Sequence, residues 1–199
     1  MTLVNDDRAT GARPQDTTAM AVALAAAFQH DPVSRWFSPD DDRRGAMLPS
    51  FFAVFVEAYM AWGETYTDPG LAGAALWARP GSDPLGTDPG YGERLAEIAG
   101  VDAPRLFDVV ERLEASAPTE AHHHLQILGV HPARQGAGLG GALMRPVLDR
   151  CDRDGVPAYL EATSDRNRAL YERHRFRTVG TVPLPDGPTL WRMWRDPAG

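Results

Sequence analysis

The chain has 199 residues, 43% of them hydrophobic and 24% charged, and its formal net charge at pH 7 is −7. This length favours one domain over residues 1–199 with a substantial core, and the acidic balance argues against a nucleic-acid partner while permitting a cationic substrate. There is no run of eighteen apolar residues and no signal-peptide pattern, and the single cysteine, Cys151, fits a reducing compartment, so we expect a cytoplasmic protein that does not span a membrane.

The first half of the chain predicts a short strand, two helices and then two further strands. A short strand is expected at residues 3–4, and Asp16 is an N-cap candidate for the alanine-rich helix TAMAVALAAAFQ. The segment MLPSFFAVFVEAYMAWG places apolar residues at helical spacing, which predicts the second helix. Residues 64–68 and the run LAGAALWA predict strands joined by a turn at residues 68–70.

A loop rich in proline and glycine is predicted at residues 79–90, followed by helical segments broken at Gly100 and Pro104. The apolar run at residues 125–130 then predicts a buried strand, and the segment ALMRPVLDRC after it predicts a helix.

The remaining residues alternate between strand and helix. Residues 158–162 predict a strand, and SDRNRALYERHRF predicts a short helix with Ser164 and Asp165 as N-cap candidates. The last segment predicts two strands around the turn PDGP. This order is an α/β pattern with one βαβ unit in its second half.

The glycine-rich turn at residues 135–141 predicts a phosphate-binding site. It lies between a strand and a helix, and glycines there let the backbone approach an anion beside the free N–H groups of the helix start. Residues 136–141 also satisfy the dinucleotide pattern GxGxxG, with Glu161 near the expected ribose position. However, polar residues 131–135 separate the strand from the first glycine, and too little chain follows for a doubly wound sheet, so this alternative is disfavoured.

A second pattern in the turn leads to a family resemblance. Gln135, Gly138 and Gly140 fit Gln-x-x-Gly-x-Gly after a strand ending in Val-x-Pro, which resembles the pyrophosphate loop of the GNAT superfamily of acyl-CoA N-acyltransferases. The segment YLEATSDRNRALYERHRF resembles the second conserved block of that superfamily. The stretches AAAFQHDPVSRW, DGVPAYLEATSDRN and DGPTLWRMWRDP are similar to its puromycin N-acetyltransferase-like members, whereas residues 64–120 match poorly.

The resemblance implies a mixed α/β fold, in which a central twisted mixed sheet is flanked by helices and splayed at an acyl-CoA notch. The acyl-CoA-binding core would span about residues 122–180. It further implies acetyl-CoA as the acyl donor. Backbone groups of the turn would bind its pyrophosphate, and those of the strand would pair with its pantetheine arm; the residues concerned are Gln135, Gly136, Ala137, Gly138, Leu139, Gly140 and Gly141 in the turn, and Leu128, Gly129 and Val130 in the strand.

Two residues of the predicted short helix complete the resemblance. Asn167 resembles the residue that hydrogen-bonds the pantetheine arm, and Tyr171 resembles the general acid that protonates the departing thiolate. Because they are four apart, they share one face of the helix. Arg134 is a candidate contact for a CoA phosphate.

The general base has two side-chain candidates, His124 and Glu161, with a water chain as a third option, because an amine attacks a thioester only when it is neutral. His124 falls where histone-type relatives place a catalytic glutamate, and strand alternation predicts that it shares a side with Gln126 and Leu128. Consecutive strand residues face alternately, so the run of three histidines at 122–124 cannot converge on one ion and we expect no metal.

The sequence therefore predicts an N-acetyltransferase that moves acetyl from acetyl-CoA to a small amine by direct transfer in a ternary complex. An aminonucleoside-type antibiotic is one candidate acceptor. The alternatives are a protein N-acetyltransferase acting on a chain terminus or lysine, and a CoA-binding sensor without catalysis. The oligomeric state is left open between monomer and homodimer.

Overall fold

The computed structural model describes residues 8–198, so the strand expected at residues 3–4 lies outside the described residues. Seven strands form one sheet: β1 Thr10–Gly11, β2 Glu64–Thr67, β3 Gly73–Ala78, β4 His123–Val130, β5 Ala158–Ala162, β6 Arg177–Pro183 and β7 Thr189–Arg195. Their order is β1-β2-β3-β4-β5-β7-β6, and every neighbouring pair is antiparallel except the parallel pair β4 and β5. The predicted mixed α/β fold is confirmed.

Eight α-helices flank the sheet in the described part of the chain: α1 Thr17–Phe28, α2 Pro32–Phe37, α3 Asp41–Trp62, α4 Pro84–Thr87, α5 Tyr91–Ala99, α6 Ala103–Ser116, α7 Leu139–Asp154 and α8 Asp165–Arg173. One hydrophobic cluster lies between the sheet and α1, α2, α3, α5 and α6. The second lies between the opposite face and α7, and it includes Tyr171 of α8. The sheet is therefore covered on both faces, and α7 and α8 share one of them.

The parallel pairing of β4 with β5 is short. His123, His124 and Leu125 pair with Ala158, Tyr159 and Leu160, and no pair of described residues continues it. Beyond that point β4 remains paired with β3, and β5 remains paired with β7. The two strands therefore diverge and leave a notch between them, as the family resemblance implies.

A β-bulge in β4 overturns one expectation about which side chains share a face. The register between β3 and β4 shifts so that Leu76 opposes Ile127 and Trp77 opposes Leu125, which leaves Gln126 as an extra residue. Gln126 accepts a hydrogen bond from the Tyr59 hydroxyl of α3 at 3.3 Å, whereas Leu128 packs on the face covered by α7. Because a bulge shifts the alternation of a strand, Leu128 does not share a face with Gln126 as predicted.

Local details also differ from the sequence-based expectations. The Asp16 carboxylate pairs with Arg13 at 3.1 Å and makes no cap bond to α1. The loop at residues 79–90 contains the short helix α4, whose N-cap Asp83 accepts from the Gly86 N–H at 2.9 Å. Pro104 lies in the first turn of α6 and does not break the helix. The N–H groups of a first turn have no acceptor within the helix, so a proline, which lacks the N–H, costs no hydrogen bond there.

One described helix, α3, is long and apolar enough to cross a membrane by length and composition alone. Its buried residues, which include Phe52, Val56 and Tyr59, belong to the first hydrophobic cluster, between the sheet and α1, α2, α3, α5 and α6. Half of its apolar window is buried inside the protein, as in a core helix.

Gly129 in β4 permits the close approach of α1 to the sheet. A Cβ atom at this position would lie 2.6 Å from Cδ2 of Leu24 and 3.0 Å from Cε2 of Phe28. We expect Gly129→Ala to lower the free energy of unfolding by about 1–3 kcal/mol, because overpacking forces side chains and backbone to shift. Urea unfolding at neutral pH measures the change.

The matched control is Gly92→Ala in α5, where an added Cβ meets no atom within 4 Å. Alanine is preferred over glycine inside a helix, so this variant should be as stable as the wild type or more stable by up to about 1 kcal/mol. A Gly129→Ala protein that unfolds at the wild-type urea concentration would contradict the packing argument.

Candidate active site

A cavity of about 740 Å³ opens at the diverging ends of β4 and β5. The end of α1, the end of β4, the start of α7 and the first turns of α8 form its walls. Of the residues predicted to bind the acyl donor, those lining it are Leu128, Gly129, Val130, Gln135, Gly136, Gly138, Leu139, Gly140, Gly141, Asn167 and Tyr171. Ala137 is not among the lining residues, and its carbonyl accepts a hydrogen bond from Arg8 at 3.1 Å.

The glycine turn leads directly into the N-terminus of α7, a helix of 16 residues whose dipole is positive at that end. Gly136 and Gly138 have φ angles of +83° and +79°, a region that favours glycine. Gly138 is the N-cap of α7, and the first helical hydrogen bond runs from the Ala142 N–H to the Gly138 carbonyl at 3.1 Å. The N–H groups of the first turn therefore have no partner within the helix, which is the arrangement that binds anions.

Two residues of the turn shape it. The side-chain amide of Gln135 donates to the Val130 carbonyl at 2.9 Å, and its backbone N–H donates to the Pro132 carbonyl at 3.3 Å. A Cβ at Gly141 would lie 2.8 Å from Nε2 of His174, so this glycine also serves the packing of α7. Gln135 thus holds the turn against the end of β4, and its N–H already has a protein acceptor.

The charges around the cavity are opposite in sign to the net charge of the chain. Arg134, Arg166 and Arg173 line it, and Asp31 is the single carboxylate among the described lining residues. Arginine is the side chain best suited to phosphate oxygens, because it offers several N–H donors in one plane. Sequence reasoning singled out Arg134 and missed Arg166 and Arg173, which only the fold brings to the cavity.

The helix α8 presents Asn167 and Tyr171 to the cavity. Ser164 caps this helix, since its hydroxyl oxygen accepts from the Asn167 N–H at 3.3 Å. Tyr171 is 6% exposed, and its ring packs edge-on against Phe176 at 6.0 Å between centroids. Burial raises the pKa of Tyr171, and the negative charge of Asp31 raises it further, so the phenol is protonated at neutral pH.

The two candidate bases form one hydrogen-bonded pair. The ring Nε2 of His124, which pairs with Tyr159 across the two strands, lies 2.9 Å from Oε2 of Glu161, the residue after the last paired position of β5. Burial opposes ionisation of Glu161, but the His124 ring and the Tyr159 hydroxyl outweigh it, and the pKa of Glu161 is lowered. Neither His124 nor Glu161 is among the residues lining the cavity.

The histidine run alternates as expected for a strand. The rings of His122 and His124 lie 6.0 Å apart, whereas His123 is 5% exposed with an unpartnered Nδ1. No group of three His, Cys, Asp or Glu side chains that could hold a metal ion occurs within residues 8–198. Cys151 is buried in α7, and burial raises its pKa to about 11, so its thiol is not a nucleophile at neutral pH.

Asp31 and Thr163 are further polar residues of the site that sequence reasoning missed. Asp31 lines the cavity, and its carboxylate accepts a hydrogen bond from the Thr163 hydroxyl. The available signal was the Asp-Pro pair that begins α2, since Asp at the N-cap followed by Pro is a common helix start. That signal predicts a helix start and does not predict the contact with Thr163.

The model of the acetyltransferase (GNAT) family matches residues 90–176. An uncharacterized N-acetyltransferase from Schizosaccharomyces pombe is 27% identical over 178 residues, which cover 81% of this chain and 71% of that protein. The N-alpha-acetyltransferase RimI from Mycobacterium tuberculosis is 37% identical over 97 residues, which cover 45% of this chain and 59% of that protein. The family model spans the strand, glycine turn and helix of the site, and the match to the Schizosaccharomyces pombe protein extends across most of the chain.

Solved structures show the same fold over almost the whole chain. A crystal structure described as histone acetyltransferase HPA2 and related acetyltransferase, from Corynebacterium glutamicum, has a TM-score of 0.72 and 29% identity, with 96% of this chain and 97% of that one covered. Arylalkylamine N-acetyltransferase 2 from Aedes aegypti has a TM-score of 0.60 and 16% identity, with 95% and 98% covered. The second likeness concerns the fold alone.

The partly buried pair of His124 and Glu161 predicts how stability depends on pH. Because the folded-state pKa of Glu161 is lowered, its ionisation stabilises the protein above the unfolded-state pKa of about 4.3, and this contribution disappears as the pH falls through the folded-state value. We expect Glu161→Gln to lower the free energy of unfolding by about 1–3 kcal/mol at pH 7, with a smaller deficit at pH 4.

Urea unfolding at pH 4, 5.5 and 7 measures this deficit, and the exposed Glu97→Gln serves as the control that should match the wild type throughout. A Glu161→Gln deficit that grows as the pH falls would show that the carboxylate is not stabilised in the folded state.

Proposed function

We propose that the chain is a member of the GNAT family of acetyltransferases and that it transfers acetyl from acetyl-CoA to the amine of a small molecule within one domain, residues 1–199. Members of this family use acetyl-CoA as the acyl donor in general. The observation that carries the proposal is the cavity at the notch, where the start of α7 and three arginines adjoin Asn167 and Tyr171. The cavity thus combines donors for phosphates with polar groups suited to the acyl end of the same molecule.

The donor would lie along the cavity with its phosphates at the glycine turn. The N–H groups of Leu139, Gly140 and Gly141 at the start of α7 suit the pyrophosphate, because they lack helical acceptors and carry the positive end of the helix dipole. Past Leu125, β4 has no described strand partner on the side of β5. An extended pantetheine arm can therefore add to that edge as a short strand does.

The proposed reaction is direct transfer in a ternary complex. The amine nitrogen attacks the thioester carbonyl, the carbon–sulfur bond breaks, and acetyl remains on nitrogen. Tyr171 gives its phenolic proton to the departing thiolate, since it is protonated at neutral pH and lines the cavity. His124 takes a proton from the amine, held by its hydrogen bond to Glu161 so that the opposite ring nitrogen is free to accept it.

The α3 face beside His124 supports a small cationic acceptor. Burial raises the pKa of Tyr59, and the negative charges of Asp83 and Glu161 raise it further, so this hydroxyl lies in a negative potential. Tyr159 packs against His124 at 5.2 Å between ring centroids. Aromatic walls and carboxylates suit an ammonium group attached to an apolar or aromatic body, and an aminonucleoside-type antibiotic is one candidate of that class.

A second candidate is acetylation of a protein N-terminus, which is favoured by the 37% identity to the relative described as an N-alpha-acetyltransferase. For either acceptor we propose a cytoplasmic location, supported by the single buried cysteine, and a monomer or homodimer as the working state.

The proposal is tested by thermal shift with acetyl-CoA, CoA and NAD, followed by thiol release with a panel of small amines, puromycin and an N-terminal peptide. We expect acetyl-CoA and CoA to raise the melting temperature, because a ligand that binds only the folded state stabilises it. Thiol release with a small amine is then expected. Release with the peptide alone would favour the second candidate, and stabilisation without release would indicate a sensor. Stabilisation by NAD alone would contradict acetyl transfer.

Tyr171→Phe tests the general acid. The variant keeps the ring that packs against Phe176 and removes only the hydroxyl. We expect kcat to fall by about 10²–10⁴-fold with little change in KM for acetyl-CoA, since a positioned acid contributes about that much to the rate. Steady-state thiol release at pH 7 measures both constants, and a kcat near the wild-type value would exclude the role.

His124→Asn tests the base, and His122→Asn is its matched control because the two rings lie on one face 6.0 Å apart. We expect at least a tenfold loss of kcat at pH 7 for His124→Asn and partial recovery at higher pH, where more of the amine is already neutral. The control should keep wild-type kcat. Equal activity of the two variants would assign deprotonation of the amine to water.

A further inference from the structure

A chain of hydrogen bonds connects the start of α2 with the start of α8 beside the cavity. The side-chain amide of Asn167 donates through Nδ2 to the Thr163 hydroxyl oxygen at 3.3 Å. The Thr163 hydroxyl donates to Oδ2 of Asp31, a residue 132 positions earlier in the chain. Oδ1 of Asp31 in turn accepts from the Val33 N–H at 2.9 Å and from the Ser34 N–H at 3.3 Å.

Both ends of this hydrogen-bond chain belong to regular elements of the fold. Asp31 is the N-cap of α2, its N–H donates to the Phe28 carbonyl at 3.0 Å, and its carbonyl accepts from the Arg35 N–H at 2.9 Å. Thr163 directly follows β5 and precedes Ser164, the N-cap of α8. The hydrogen bonds therefore join two rigid elements, and they adjoin a cavity lined by both Asp31 and Asn167.

The chemistry of these groups sets the direction of each bond. An ionised carboxylate only accepts hydrogen bonds, and a hydroxyl has one proton to donate. Because the Thr163 proton goes to Asp31, its oxygen can only accept from Asn167, and the amide must turn its NH₂ group towards Thr163. The carbonyl oxygen of the Asn167 amide is then left to accept a hydrogen bond from a ligand.

The same carboxylate acts on Tyr171. Its negative charge adds to the effect of burial in raising the pKa of the Tyr171 phenol. Burial raises the pKa of Asp31 itself, and its donors Thr163, Ser34 and Val33 oppose that rise. Asp31 is thus linked to Asn167 by hydrogen bonds through Thr163 and to Tyr171 by its charge.

We propose that Asp31 is a positioning residue for acetyl transfer, which through Thr163 orients the Asn167 amide so that its oxygen accepts a hydrogen bond from an amide N–H of the pantetheine arm. This inference rests on the proposed use of acetyl-CoA. It assigns recognition of the arm to three residues that the fold brings together and that no single segment contains.

The test variant is Thr163→Val, which removes the hydroxyl, keeps the β-branched shape and leaves the Asp31 cap of α2 intact. Calorimetric titration compares acetyl-CoA with 3′-phosphoadenosine 5′-diphosphate, which keeps the phosphates and lacks the arm. We expect the Kd of acetyl-CoA to rise about fivefold to thirtyfold, as for loss of one or two hydrogen bonds, and the Kd of the nucleotide to stay within twofold. Thr163→Ser, which retains the hydroxyl, should restore wild-type affinity for acetyl-CoA.

Asp31→Ser is the second variant, because serine is a good N-cap but is too short to reach Thr163. Asp31→Ser should also weaken the binding of acetyl-CoA and leave the binding of the nucleotide unchanged. The proposal can therefore be tested even if Thr163→Val does not fold. Unchanged affinity for acetyl-CoA in either folded variant, or an equal loss for both ligands, would overturn the positioning role. A wild-type protein that binds the nucleotide and acetyl-CoA equally weakly would instead contradict the proposed function itself.

Discussion

The short parallel pairing of β4 with β5 is the constraint on which the site depends. The strands share three residue pairs and then diverge, so the backbone of each presents an edge without a described strand partner on the side facing the notch. Buried backbone groups need hydrogen-bond partners, and a strand edge is a surface ready to accept another extended chain. Gln135 satisfies one such group, the Val130 carbonyl, from the glycine turn. The remaining edge suits an extended ligand of limited length.

The divergence also separates two environments by charge. On the side of α7 and α8, three arginines and a helix start favour phosphates in a chain whose net charge is −7. On the side of α3, Tyr59 lies in the negative potential of Asp83 and Glu161. An anionic donor and a cationic acceptor would therefore approach from different faces of the sheet and meet where the strands part. The hydrogen bonds from Asn167 to Thr163 and from Thr163 to Asp31 link α8 to the start of α2 on the donor side.

Much of this arrangement was predictable because its signals are local. The apolar run of β4, the glycines at 136 and 138 and the cap at Ser164 each specify a strand, a turn or a helix start within a few residues. The bulge at Gln126 was not predictable, because no glycine or proline marks it and the register with β3 decides it. The arginines at 166 and 173 and the contact of Asp31 with Thr163 depend on how distant segments pack, which periodicity does not encode.

Amide hydrogen exchange with and without acetyl-CoA tests most directly the claim that the notch and the start of α7 hold the donor. Added acetyl-CoA should slow exchange at residues 128–130 of β4 and at residues 139–141 of α7, because the ligand supplies acceptors and excludes water there. Exchange in α5 and α6 should not change. Protection confined to other segments, or none at saturating acetyl-CoA, would contradict the account.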